Sequence, residues 1–172
     1  MIDVVIPIHS IDNILFKTIS SVGLQKNIKD IRILLVGNYD INDIDFILNT
    51  YKEIVNIQYL NINSNIIDYN LYNDYVFFLR DNDYIYNSFS LIDMLDKIGN
   101  NDICIGKVCN SNLEEDYKLD TNNTMGKLYT KEYIKKCKVE YDKDNNIISN
   151  ISNIESKHIL LDSNVYMDLF TK

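Results

Sequence analysis

The chain has 172 residues, which is enough for one domain with a substantial hydrophobic core. A net charge of -8 and a pI near 4.7 exclude the basic surface that binding of DNA or RNA requires. No apolar run approaches the roughly 18 residues of a membrane span, and no basic leader precedes the first apolar run, so we expect a soluble, cytoplasmic protein without a membrane span.

Apolar runs and helical stripes alternate along the first 62 residues. The pattern predicts a strand over 3–8, a helix over 13–25 capped by Asp12, a strand over 31–36, a helix over 42–53 and a strand over 57–62. Strands that alternate with helices form parallel sheets through right-handed crossovers. The predicted fold class is therefore α/β, a three-layer sandwich whose mainly parallel central sheet is flanked by helices.

The next strand is predicted at Tyr75 to Leu79, after a segment over 63–74 that is too short and too polar for a full crossover helix. Its apolar run has no alternation, so both of its faces are predicted to be covered, as at the centre of a sheet. Asp81, Asn82 and Asp83 follow at its carboxyl end, where such sheets bind ligands. Two acids one residue apart suit a divalent cation, although Asp-Asn-Asp is also an ordinary turn composition, so both interpretations stay open.

The second half of the chain has shorter elements. The pattern predicts a helix over 89–98 between Ser88 and Gly99, a strand over 102–108, a loop over 113–120, a short helix over 131–136 capped by Thr130 and a last helix over 163–170 capped by Asp162. The acidic stretch 142–146 begins like a calcium loop but lacks the Gly and Glu that such a loop needs, so it is interpreted as a hairpin turn.

Cysteine and histidine usage limits the remaining chemistry. Cys104, Cys109 and Cys137 contain no C-x-x-C pair, which predicts three reduced thiols. His9 and His158 are the only histidines, too few to suggest a zinc site.

Five short stretches, in the right order, resemble family 2 glycosyltransferases, which have the GT-A fold of nucleotide-diphosphosugar transferases. They are Val4 to Ile8, Leu15 to Gln25 with its Ser-Val-x-x-Gln ending, Ile33 to Val36, Phe78 to Ile85 and Gly126 to Ile134 with its Lys-Leu-Tyr. The resemblance implies one GT-A domain over 1–172, with a nucleotide-binding half over 1–109 and a reduced acceptor half over 110–172.

The polar positions depart from the family pattern. In the family the second strand ends in Asp-Asp-Gly-Ser, whose first acid helps to recognise the base, whereas this chain has Gly37, Asn38, Tyr39 and Asp40. The segment that normally carries an Arg-Asn pair near the donor is the shortened stretch before Tyr75.

The metal-binding motif and the catalytic-base motif depart from the family pattern as well. Matching the flanking apolar residues places Arg80 and Asn82 at the two acids of Asp-x-Asp, with Asp81 between them and Asp83 behind. The best match to the family's late Glu-Asp pair, residues 163–166, has no acid, which leaves Asp162 as a substitute base.

The chain thus keeps the apolar pattern of the family and loses most of its chemical residues. The sequence predicts a non-catalytic, pseudoenzyme domain that needs no cofactor and binds another protein or a larger assembly. In that case Asp81 and Asp83 are turn or surface residues, one of them paired with Arg80, and changing both to Asn alters stability little.

A divergent active transferase is the alternative. It would transfer sugar from a nucleotide sugar held by Pro7, His9, Asn38, Asp40 and Arg80, with Mn2+ or Mg2+ on Asp81 and Asp83 and with Asp162 as the catalytic base. An unrelated doubly wound sheet is a third interpretation, but the residues after the first strand offer neither a phosphate loop nor an acidic pocket.

Overall fold

A computed structural model describes residues 1–61, 71–119, 123–141, 147–148 and 154–169; for 140–141 and 147–148 only the backbone is described. Most of the shortened stretch after the third strand, the candidate calcium loop over 142–146 and the end of the chain from 170 lie outside the described residues.

The first half of the chain alternates as predicted. Its elements are β1 (Ile2–Pro7), α1 (Asn13–Gly23), β2 (Ile31–Gly37), α2 (Ile41–Tyr51), β3 (Asn56–Asn61) and β4 (Tyr75–Phe78). Neighbouring strands pair in parallel in the order β3-β2-β1-β4. Because α1 connects β1 to its neighbour β2 and α2 connects β2 to its neighbour β3, this part of the chain is an ordinary α/β unit.

The second half completes the sheet with shorter pieces. It contains β5 (Tyr84–Ile85), α3 (Ser90–Ile98), β6 (Ile103–Asn110), β7 (Glu115–Tyr117), β8 (Lys127–Thr130), α4 (Lys131–Cys137), β9 (Glu140–Tyr141), β10 (Ile147–Ile148) and β11 (His158–Asp168). The full order is β3-β2-β1-β4-β8-β6-β11-β5, with β7 on β6. β8 runs antiparallel to both neighbours, and β11 is parallel to β6 and antiparallel to β5.

The core lies on both faces of this sheet, which confirms the predicted α/β sandwich. Val4 and Phe77 belong to the larger cluster beneath α1, α2 and α3, whereas Val5 and Phe78 belong to the cluster that contains residues of α4. Alternate residues of a strand point to opposite faces, so a continuous apolar run is needed where both faces are covered. β4 therefore lies at the centre of the sheet, as the sequence predicts.

The last predicted helix is wrong. Residues 158–168 form the long strand β11, which fills the space between β6 and β5. Gly106 of β6 makes room for it, because a Cβ there would lie 2.5 Å from Val165. Irregular register between Leu161 and Tyr166 breaks the alternation by which a strand is recognised.

Two smaller predictions also fail. The predicted loop over 113–120 contains the short strand β7, which pairs antiparallel with β6. Ser88 does not cap α3, which begins after Phe89 without a side-chain cap. Instead, the Phe89 N–H donates to the Asn87 side chain, and the Asn87 N–H donates to the Ser90 hydroxyl.

Other local signals are confirmed. Asp12 caps α1 and Thr130 caps α4 through side-chain hydrogen bonds to the first turn of each helix. Gly99 ends α3 with a positive φ of 51°, a conformation that favours glycine. β9 and β10 pair antiparallel, while the predicted turn over 142–146 between them lies outside the described residues. Within the described ranges, no helix is long and apolar enough to cross a bilayer.

Candidate functional site

The candidate site lies where the carboxyl ends of β1, β2 and β4 meet. His9 and Ser10 follow β1, Tyr39 follows β2, and the turn Arg80 to Asp83 follows β4. Because these strands are parallel neighbours, the segments that follow them converge at one edge of the sheet. The Tyr39 hydroxyl donates to the His9 carbonyl at 2.7 Å, which ties the end of β2 to the end of β1.

Asp81 fastens the turn after β4 to the loop after β1. Its Oδ2 accepts the backbone N–H groups of His9 at 2.6 Å and Ser10 at 3.2 Å, and its Oδ1 lies 3.3 Å from His9 Nδ1. The Thr18 hydroxyl lies 2.9 Å from the Asp81 carbonyl and 2.6 Å from the Asp83 carbonyl. Helix α1 and the loop before it therefore fix the backbone and the carboxylate of this turn.

Asp83 and Arg80 belong to a buried network that reaches the end of β11. Asp83 Oδ2 accepts from Arg80 Nε at 2.5 Å and from the Tyr166 hydroxyl at 2.9 Å, and Asp83 Oδ1 accepts the Leu169 N–H at 3.0 Å. Arg80 Nη2 donates to Asp168 Oδ1 at 2.7 Å. One guanidinium thus joins two carboxylates from distant parts of the chain.

The charges in this network stabilise one another. Burial alone would lower the pKa of Arg80, but the carboxylates of Asp83 and Asp168 raise it above the ordinary value, so the guanidinium stays charged. Burial raises the pKa of Asp83, and the Leu169 N–H and Arg80 offset part of that shift. Burial also raises the pKa of Tyr166 well above its usual range, which keeps its hydroxyl a hydrogen-bond donor.

Asp81 and Asp83 lie in a turn, as expected, but they are not surface residues. Asp83 is fully buried and Asp81 is 5% exposed, because each closes a contact between separate segments of the chain. The expected pairing of one carboxylate with Arg80 is confirmed. The double change to Asn would break buried hydrogen bonds, so we now expect it to destabilise the fold.

The other predicted nucleotide-sugar residues lie in β1 or directly after β1 and β2. Pro7 is buried in β1, and the His9 side chain is partly exposed beside Asp81. Asn38 and Asp40 are exposed after β2, and Asp40 caps α2 by accepting the Asn42 N–H at 2.9 Å.

Tyr39 and Tyr59, neither of which was predicted as a site residue, bond to each other at the end of β2. The Tyr59 hydroxyl accepts the Tyr39 N–H at 2.7 Å and lies 2.9 Å from the Gly37 carbonyl. Burial raises the pKa of Tyr59, so the group facing this position is a neutral phenol. Family 2 glycosyltransferases resemble this chain in the apolar part of β2 but have an acid where Gly37 stands.

The two late acids of β11 have different surroundings. Asp162 is exposed and pairs with Lys107 at 2.5 Å, beside the β6–β7 hairpin. Asp168 is fully buried against Arg80. The irregular register pairs Leu161 with Gly106 and Asp168 with Asn110, which lie four residues and so about 13 Å apart along β6. Asp162 therefore lies away from the end of β11 that reaches the candidate site. Asp168 was missed because a helix was predicted there; the β-branched and aromatic residues of 159–166 were the available signal.

The acids do not fit a divalent cation in this arrangement. Hard cations need carboxylate oxygens that face the ion, but three of the four oxygens of Asp81 and Asp83 already accept from the protein, and the fourth, Asp81 Oδ1, lies 3.3 Å from His9 Nδ1. Arg80 places a fixed positive charge beside them. Asn82 has a buried Oδ1 without a partner among the described residues. In the same residues, no group of three or more His, Cys, Asp or Glu side chains is placed to hold a metal.

Solved structures show which fold this is. TarS of S. aureus superposes with a TM-score of 0.76 at 14% identity, over 98% of this chain and 36% of TarS. TarS 1–349 in complex with UDP-GlcNAc gives a TM-score of 0.76 at 14% identity, over 99% of this chain and 59% of that structure. The Pyrobaculum calidifontis mannosyltransferase PcManGT, in complex with GDP-Man and Mn2+, gives a TM-score of 0.68 at 9% identity, over 99% of this chain and 57% of PcManGT.

The chain therefore has the GT-A-type fold of nucleotide-sugar transferases. It spans between about a third and three fifths of the length of these transferases. No family model and no curated protein sequence matches it.

Proposed function

We propose that this chain is a GT-A-like domain that does not transfer sugar and serves as a binding module for another protein. The observation that carries this proposal is the Arg80 network. Arg80 stands where metal-dependent family members have an acid, and both of its neighbouring acids are engaged in hydrogen bonds within the protein.

Sugar transfer makes two demands that this arrangement meets poorly. The departing diphosphate needs a cation that faces it, and the acceptor hydroxyl needs a base. The Arg80 guanidinium faces Asp83 and Asp168, which neutralise its charge. Asp168 in turn is held by Arg80, and Asp162, near the middle of β11, is exposed and pairs with Lys107.

Exposed aromatic and aliphatic side chains support the binding part of the proposal. Tyr72, Tyr86 and Phe89 are exposed, and aromatic residues are enriched at protein interfaces. Leu24, directly after α1, and Phe46, on α2, are also exposed. These residues would be candidates for contact with a partner chain.

A panel of nucleotide sugars, titrated by calorimetry with and without Mn2+, tests the non-catalytic part. We expect no saturable binding at micromolar concentration by this chain, whereas TarS 1–349 with UDP-GlcNAc serves as a positive control for the assay. Saturable, Mn2+-dependent binding would overturn the proposal. Purification of the full chain from its source, followed by reconstitution with any co-purifying protein, tests the binding part.

An active transferase is the second candidate. Asp168 favours it, because the fold brings this carboxylate to the same edge as Asp81, where an acceptor base would be needed. The neighbouring structures hold UDP-GlcNAc, or GDP-Man with Mn2+. In this candidate Pro7, His9, Asn38 and Asp40 would contact the donor, and binding would require Arg80 to turn away from the acids.

A further inference from the structure

A groove of about 480 Å³ lies between α1 and β5. The described residues that line it are Phe16, Lys17, Ser20, Ser21, Leu24 and Tyr84. The buried residues of α1 face the core, whereas these lining residues are exposed or only half-buried. None of them belongs to the Arg80 network, so the groove is separate from the candidate site.

The α1 wall of the groove has a large apolar side chain at each end and a small side chain between them. Phe16, Ser20 and Leu24 are spaced four residues apart, so they form one row that is about 12 Å long. The Phe16 ring is held by Tyr51, on which it stacks at 6.2 Å, and the Leu24 side chain is 68% exposed. Ser20 therefore leaves a gap between two apolar side chains, and a protruding side chain of another helix fits such a gap.

The floor of the groove makes no polar demand on a ligand. The Ser20 hydroxyl donates to the Phe16 carbonyl at 2.7 Å. The Ser21 hydroxyl donates to the Thr18 carbonyl at 2.7 Å and accepts the Ile85 N–H at 3.1 Å. Because both hydroxyls have partners within the protein, an apolar side chain can cover them without leaving a hydrogen bond unmade.

Exposed aromatic side chains extend the apolar surface beyond both ends of the groove. Phe46 of α2 is exposed and meets Phe16 edge-on, with 6.2 Å between the ring centres. Beyond Leu24, the Lys26 Nζ lies 5.6 Å from the centre of the exposed Phe89 ring. The apolar row is therefore longer than the groove itself, as contact with a helix of several turns requires.

The groove has a basic border on an acidic protein. Lys17 lines it, Lys26 lies beyond its Leu24 end, and none of the described lining residues is acidic. The chain as a whole has a net charge of -8. Local positive charge on an acidic protein favours a partner segment that carries carboxylates.

We propose that this groove binds an amphipathic helix of a partner protein, with an aliphatic side chain over Ser20 and carboxylates beside Lys17 and Lys26. The proposal rests on the proposed binding function and adds the surface and the chemistry of the partner. A helix meets both requirements, because its aliphatic row repeats at the spacing of the α1 row and its carboxylates flank that row. An anionic lipid surface is the competing occupant, but it is flatter than the groove and is repelled by the net charge of the chain.

Two synthetic helical peptides of about 18 residues test the groove. Both carry Leu at positions i, i+3, i+4 and i+7, and their flanking positions are Glu in one peptide and Lys in the other. We expect the acidic peptide to bind saturably and to shift amide resonances of α1 and β5. The basic peptide should bind at least about tenfold more weakly.

Two variants assign this binding to the groove. Lys17→Glu should weaken the acidic peptide about fivefold and strengthen the basic one, because it reverses the charge beside the bound helix. Leu24→Ala should weaken both peptides about fivefold, because it removes one apolar wall of the gap. Lys136→Glu is the matched control, since it makes the same charge change on α4, which packs on the opposite face of the sheet. Its affinities should stay within about twofold of the parent values.

Three results would overturn the groove proposal. They are no saturable binding of the acidic peptide, equal binding of the two peptides, and an equal loss of acidic-peptide affinity in Lys136→Glu and Lys17→Glu. Sedimentation of the chain with phosphatidylserine vesicles, abolished by Lys17→Glu, would overturn it in favour of a lipid surface. The nucleotide-sugar titration reports on the candidate site and not on this groove, so failure of the groove and failure of the proposed function are distinguishable.

Discussion

Arg80 Nη2 lies 2.7 Å from Asp168 Oδ1, and this ion pair joins the turn after β4 to the end of β11. The same guanidinium holds Asp83, and both carboxylates are fully buried. The edge of the sheet that carries the candidate site is therefore held together by protein charges, which do not depend on a bound metal.

Replacement of Arg80 by Ala should destabilise the fold by about 2 to 4 kcal/mol. It leaves two buried carboxylates without their cation, and removing one partner of a buried pair typically costs about 3 to 5 kcal/mol. The Arg80 side chain is 42% exposed, so water screens part of that loss. Urea titration of parent and variant would measure the difference in the free energy of unfolding.

Lys118→Ala provides the control for that measurement. Lys118 Nζ lies 3.9 Å from Asp116, whose side chain is largely exposed, and truncating such a pair should cost about 0.5 kcal/mol or less. Equal losses in Arg80→Ala and Lys118→Ala would contradict a structural role for the Arg80 network.

Phe78→Ala should destabilise the fold by about 3 to 5 kcal/mol. Phe78 is almost fully buried at the centre of the sheet, where its ring meets Tyr129 edge-on, and its removal leaves a cavity. Leu24→Ala, at a side chain that is 68% exposed, should change stability by no more than about 0.5 kcal/mol. A loss below about 1 kcal/mol for Phe78→Ala would be inconsistent with a central β4.

The first half of the fold was predictable because its signals are local. β1, β2 and β4 are covered on both faces and read as continuous apolar runs, while Asp12 marks the start of a helix with a side chain that bonds the first turn. Such signals need no knowledge of distant residues.

The second half was harder because its strands depend on tertiary partners. Tyr84 and Ile85 form a two-residue strand that exists only because β11 pairs with it. β11 itself has an irregular register, and its fit beside β6 depends on the missing side chain of Gly106. Neither a partner strand nor a steric gap is visible in a local pattern.

The site was predictable in position but not in environment. The carboxyl end of β4 follows from the order of strands, whereas the burial of Asp83 follows from Tyr166 and Leu169, more than eighty residues away. Asp-Asn-Asp reads as an exposed turn on its own, but the loop after β1 covers Asp81 and the return of β11 covers Asp83.

All three cysteines should be unreactive in the native protein. Cys104, Cys109 and Cys137 are buried, and burial raises the pKa of Cys104 to about 12 and also raises that of Cys109. The thiolate is the reactive form, so a buried thiol with a raised pKa reacts slowly near pH 8. Ellman's reagent should detect three thiols in guanidinium chloride and none in native buffer on the same timescale. Rapid modification of one native thiol would contradict this burial.

The cap of α1 should contribute stability that depends on pH. Asp12 Oδ1 accepts the N–H groups of Ile14 at 2.8 Å and Leu15 at 3.1 Å, and the Ser10 hydroxyl donates to Oδ2 at 2.9 Å. The Leu15 N–H and the Ser10 hydroxyl lower the pKa of Asp12 below its ordinary value of 3.8. The ionised carboxylate therefore stabilises the fold above that value, and the stabilisation is lost as the pH falls through the lowered pKa.

Asp12→Ala and Asp12→Asn separate the hydrogen bonds of this cap from its charge. At pH 7 we expect Asp12→Ala to lose about 1 kcal/mol, because two N–H groups lose their acceptor, and Asp12→Asn to lose less, because an amide oxygen also caps helices. The gap between parent and Asp12→Asn should shrink in acid, once the pH has fallen through the lowered pKa of Asp12 and the parent carboxylate has taken up a proton. Denaturant titrations at pH 7 and in acid measure that gap, and a gap that widens on acidification would show that ionised Asp12 does not stabilise α1.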